Sequence, residues 1–95
     1  MIVYFKTMSG DNLVEKGQML GVGGVKSNYL VTGNDKNHLE VIGSYKTREE
    51  AKELFEAIVE KIVNPTLQEM QKGVIYIDLQ HLSKLMGGKN ENISN

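Results

Sequence analysis

The sequence predicts an α+β fold: a small antiparallel sheet of about four to six strands packed on one main helix. Three observations carry this. Thr47–Val63 has agreeing helix signals along its whole length. The stretch before it is a series of short β-branched or aromatic runs divided by Gly, Asn and Asp. One further apolar run, 74–79, follows the only proline, Pro65. With 95 residues, one domain over 1–88 is expected. A polar tail over 89–95 is expected to be disordered.

Taken in order, Ile2–Thr7 (IVYFKT) reads as a strand, being β-branched and aromatic. Ser9-Gly10-Asp11-Asn12 is a turn, and Leu13–Lys16 is the returning strand. Gln18–Val22 is a weaker strand, followed by Gly21-Val22-Gly23-Gly24; Val25–Thr32 is a better one. Gly33–Asn37 is a turn, and His38–Tyr45 leads directly into the helix.

The helix, about 47–63, begins T-R-E-E, a capping-box pattern in which Thr47 and Glu50 satisfy each other's backbone N–H groups. Ala51, Leu54, Phe55, Ile58 and Ile62 fall on one face of a 3.6-residue period. Asn64-Pro65 ends it, because the residue before proline is driven from the α region. A second short helix, about 65–72, is expected with Asn64 as N-cap and Pro65 as first helical residue. Gly73 would close it. Val74–Leu79 is a late strand, and His81–Met86 one more helical turn.

The strands Ile2–Phe5 and Val74–Ile77 are apolar on both faces. A sheet with one wet face should alternate, and one helix covers one face. The second face therefore calls for the C-terminal segment, a curled sheet or a second copy of the chain. A homo-oligomer, with a dimer favoured, is expected on this ground.

Composition narrows the function classes. There is no Cys, which removes thiol catalysis, disulfides and Cys-based metal sites. Net charge is −1 and the eleven basic residues are scattered, which argues against phosphate-directed nucleic-acid binding. No apolar run approaches the roughly 20 residues needed to span a bilayer. No basic segment followed by an apolar run opens the sequence, so a cytoplasmic location is expected.

No catalytic residue, metal ligand or cofactor is assigned. Asp78-x-x-His81 lacks the further clustered ligands that a metal needs. The serines lack a nucleophile-elbow context. Asp11 and Asp35 sit in turns without a carboxylate partner for acid–base work. Gly21, Gly23 and Gly24 read either as a strand irregularity or as a ligand-contacting loop. A dinucleotide fingerprint would need a helix directly after them, and a strand follows. Two features point to protein recognition. Tyr4, Tyr29 and Tyr76 lie on strands, where an apolar ring with a polar tip suits an interface. Glu49, Glu53 and Glu56 make an acidic helix flank suited to a basic surface.

The junction Ile42-Gly43-Ser44-Tyr45-Lys46-Thr47-Arg48-Glu49-Glu50-Ala51, continuing to Leu54 and Ile58, resembles small, largely uncharacterised β-meander-plus-helix proteins of Gram-positive bacteria and their phages. The Met-Ile-Val-Tyr start with its Ser-Gly-Asp turn fits the same group. The resemblance covers about half the chain. It implies a non-enzymatic phage or prophage accessory protein that binds and blocks a host protein, including defence proteins. The alternative it implies is an oligomeric sponge for a nucleotide or other small ligand. Septal peptidoglycan-binding domains carry a similar junction, but their paired β-α repeat is not evident here.

Overall fold

A computed structural model describes residues 1–23, 28–35 and 38–94, with side chains as far as Met86. The order is β1 (Ile2–Lys6), β2 (Leu13–Glu15), β3 (Met19–Gly23), β4 (Tyr29–Gly33), β5 (Leu39–Ser44), α1 (Arg48–Val63), α2 (Leu67–Lys72), β6 (Val74–Asp78) and α3 (Leu79–Ser94). The α+β class, the main helix, the short helix and the late strand stand as expected.

The strands divide into two three-stranded sheets, ordered β2-β1-β6 and β3-β4-β5. The second is an antiparallel meander. In the first, β1 pairs antiparallel with β2 and parallel with β6. The long segment between β1 and β6, with its two helices, supplies the crossover that a parallel pair needs, since a hairpin turn cannot join parallel strands. The sheets meet at a corner, where Met8 N–H donates to Ile42 O at 3.0 Å. Beside that corner the β4–β5 register shifts between Leu30 and Val31. The resulting bulge leaves Ile42 as an extra residue and turns it into the core.

One core serves both sheets. Val3, Phe5, Ile75 and Ile77 enter it from the first sheet, and Leu30, Ile42 and Tyr45 from the second sheet and the chain just after it. Ala51, Leu54 and Ile58 enter from α1, and Leu79 and Leu82 from α3. The α1 stripe is the one the periodicity marks, with Phe55 and Ile62 at its partly buried margin. Phe5 and Ile58 are fully buried, and burial of such a side chain stabilises by about 1.5–3 kcal/mol.

Threonine side chains cap the first turns of α1 and α2. Thr47 caps α1, its hydroxyl accepting from Glu50 N–H at 3.1 Å. The reciprocal capping box forms in α2 instead: Thr66 N–H donates to Glu69 Oε1 at 2.9 Å and Thr66 Oγ1 accepts from Glu69 N–H at 3.1 Å. The α2 N-cap is therefore Thr66 and not the expected Asn64. Asn64 instead terminates α1, its N–H donating to Glu60 O at 3.0 Å. Thr-x-x-Glu is the stronger start signal because it satisfies two orphan N–H groups at once. Gly73 closes α2 at φ 73°, a left-handed position open to Gly without steric cost. α3 starts at Leu79 and runs well past the single turn expected over 81–86. The tail expected to be disordered, 89–95, falls on residues whose side chains lie outside the described ones.

Candidate functional site

Strand alternation decides which face of the first sheet is wet. Val3, Phe5, Ile75 and Ile77 point into the core, so Ile2, Tyr4, Lys6, Val74, Tyr76 and Asp78 point the other way. The registers Tyr4↔Glu15 and Lys6↔Leu13 put Leu13 and Glu15 of β2 on the same outer face. No described helix covers this face: Tyr76 is 66% exposed, Leu13 57% and Ile2 44%.

Its centre is an aromatic pair. Tyr4 and Tyr76 are directly opposed in the parallel register, and their rings stack with centroids 5.5 Å apart at 14°. Such offset pairs add about 0.5–1.5 kcal/mol beyond area burial. The stack fixes two large side chains before any partner arrives, which lowers the entropy cost of docking on them. One end of the face carries the Lys6–Asp78 ion pair, 3.8 Å long and half exposed. Lys6 is thus offset by Asp78 and neighboured by Glu15, so the face has no net positive charge to attract phosphates.

The other residues singled out from sequence fall elsewhere. Tyr29 lies half-buried on β4 of the second sheet, paired with Gly23 and Ser44. It shares an outer face with Val31 and the exposed Met19, Leu39 and Val41. Gly21 and Gly23 are inside β3, opposite Val31 and Tyr29; Gly24 lies outside the described residues. Glu49, Glu53 and Glu56 are on the exposed side of α1, the helix that packs on β3 and β4. The structure therefore unites Tyr4 with Tyr76, and places Tyr29 and the glutamates apart from them.

A second feature had no distinct sequence signal. Met8 stands between an open cleft of about 390 Å³, lined by Met8, Gln80, Ser83 and Lys84, and one of about 200 Å³ along Ser9 and Val41–Ser44. Gln80 Nε2 donates to Met8 O at 2.7 Å, and Ser83 Oγ donates to Met8 Sδ at 3.2 Å. Tyr45 packs beside them over Gly43, where a Cβ would stand 2.7 Å from the phenol oxygen. Among the described residues, that hydroxyl is buried with no hydrogen bond of good geometry. Burial, the larger effect, pushes its pKa above the ordinary tyrosine value, and the neighbouring Ser83 hydroxyl pulls it back. The arrangement depends on contacts between residues far apart in sequence, so no local pattern announces it.

The remaining polar chemistry is local. His38 and Asp35 form an exposed pair at 2.9 Å, and Asp78 Oδ1 accepts from His81 N–H at 3.2 Å as a helix cap. Among the described residues, no group of three or more His, Asp or Glu could hold a metal ion. No described helix is long and apolar enough to cross a membrane. Compared with known proteins, the chain matches no family model, no curated protein and no solved structure.

Proposed function

We propose that this is a non-enzymatic binding protein that docks a protein partner on the outer face of the first sheet. The observation that carries the reading is the stacked Tyr4–Tyr76 pair on an uncovered face, flanked by Ile2 and Leu13. Rigid tyrosines within an apolar patch and a charged rim are the composition of an interface centre. The charge of the rim, Lys6 against Asp78 and Glu15, suits a polypeptide better than a phosphate backbone. The resemblance of the 42–58 junction supplies the partner class: a host protein that a phage-type accessory factor would bind and block.

The test is capture from bacterial lysate on the immobilised chain, read against two variants. Tyr4→Ala/Tyr76→Ala should lower the affinity for the captured protein at least tenfold. Glu49→Lys/Glu53→Lys/Glu56→Lys should leave it within about twofold. The reverse pattern would move the site to α1, and no saturable protein partner at all would sink the reading.

A further inference from the structure

The first sheet has a free edge at β6, and the hydrogen-bond phase of that edge is fixed. Ile2 N–H donates to Gly73 O at 2.9 Å, and the register runs from Ile2↔Val74 to Lys6↔Asp78. In a parallel pair, alternate residues direct both N–H and C=O towards the neighbour. Ile75 and Ile77 therefore face β1, while Tyr76 directs its N–H and C=O away from it. Among the described residues no strand lies on that side.

We infer that this edge pairs with β6 of a second copy, antiparallel, across a two-fold axis at Tyr76. Tyr76 is the middle residue of Val74–Asp78, so the edge is self-complementary. Tyr76 meets Tyr76 of the second copy and exchanges both backbone bonds, while Val74 meets Asp78. Charge agrees with this register. The two Asp78 residues fall at opposite ends of the pair, each already beside Lys6. The Asp78 end of one strand lies alongside the end that Lys72 precedes in the other, which sets opposite charges near each other at both ends. A parallel pairing would instead align Asp78 with Asp78. Leu67 and Met70 of the adjoining α2, exposed at 68% and 52%, add apolar surface beside the strand. Pairing of this kind satisfies an open edge that would otherwise invite irregular association.

The product is one six-stranded sheet. Its outer face carries a continuous row of Tyr4, Tyr76, Tyr76 and Tyr4, since an axis normal to the sheet keeps both outer faces on one side. The inference does not depend on the host-protein reading, and the experiments separate them: one reads self-association of the pure chain, the other capture of a different protein.

The chain has no cysteine, so Tyr76→Cys introduces a single thiol. Opposed residues of a hydrogen-bonded antiparallel pair have Cα atoms about 5.5 Å apart, inside the disulfide range. Mild oxidation should give a reductant-sensitive dimer for Tyr76→Cys and not for Leu13→Cys, on the other edge. Light scattering should give a dimer for the wild-type chain at about 100 μM. Tyr76→Lys, which opposes two ammonium groups, and Val74→Asp, which opposes two carboxylates, should each weaken it at least tenfold, with circular dichroism confirming the fold. If Tyr76→Lys loses its fold, Val74→Asp and the cysteine pair decide. A monomeric wild-type chain overturns the inference and leaves the edge to a different chain. A dimer that survives both charge variants, with no cross-link at residue 76, overturns it equally.

Discussion

Thr32 Oγ1 holds Gly17 in place: it accepts from Gly17 N–H at 2.9 Å and donates to Met19 O at 2.8 Å. One hydroxyl on β4, 1% exposed, thus fastens the passage from β2 to β3 and links the first sheet to the second. Thr32→Val keeps the shape and removes both bonds, leaving a donor and an acceptor without that partner. Unfolding in urea should show a loss of about 1–3 kcal/mol with an unchanged m-value.

Gly17 has its own constraint. A Cβ there would overlap the Gly33 carbonyl and stand 2.9 Å from Asn34 Oδ1. The neighbour is backbone and cannot swing aside. Gly17→Ala should therefore destabilise by more than the few tenths of a kcal/mol typical of surface changes. Gly21→Ala, where an added Cβ meets nothing within 4 Å, should stay within about 0.5 kcal/mol. Paired thermal melts check the contrast.

Tyr45 gives a pH signature. Among the described residues its buried hydroxyl makes no hydrogen bond of good geometry, and burial raises its pKa. A tyrosine whose folded pKa lies above its unfolded value of 10.0 contributes stability that is fully present below that pH. The contribution falls as pH rises through the folded value, because the folded state then binds the extra proton. Tyr45→Phe should remove this alkaline component, so the difference between variant and wild type should widen in the variant's favour above about pH 10. Near pH 7 the variant should be at least as stable, since the unsatisfied hydroxyl costs about 1–3 kcal/mol. Retention of the full alkaline loss in Tyr45→Phe would place its source elsewhere.

The Tyr4–Tyr76 stack should appear as a coupling. A double-mutant cycle with Tyr4→Ala and Tyr76→Ala should return about 0.5–1.5 kcal/mol. The cycle is best measured at protein concentrations low enough to keep self-association out of the reading. A value near zero would mean that the rings are neighbours without mutual stabilisation.

The local features were the ones legible in sequence. Thr47 with Glu50 and the Ala51, Leu54, Ile58 spacing marked α1 because a cap and a 3.6-residue period are both written within a few residues. The two-sided apolar character of Ile2–Phe5 and Val74–Ile77 marked a second face, and Tyr4 and Tyr76 stand on it. What sequence could not give was partnership. Nothing near Ile2 says that Val74 lies beside it in parallel, and nothing near Tyr29 says that it belongs to the other sheet from Tyr4. The Asn64 cap gave way to Thr66 because two adequate start signals lay two residues apart, and only the geometry chose between them. Met8, Ser83 and Tyr45 converge through tertiary contacts alone.

The parallel pairing of β1 with β6 also orders events in time. β3, β4, β5 and α1 are consecutive along the chain and can assemble as soon as they exist. β1 can pair early with β2, but its β6 side must wait until Val74–Asp78 has been made, and closing so long a loop costs entropy. During synthesis, Ile2–Lys6 thus has β2 on one side and an open edge on its β6 side for most of the time the chain is growing. For that interval the β6 side of β1 is an open strand edge, the kind of surface that invites irregular pairing.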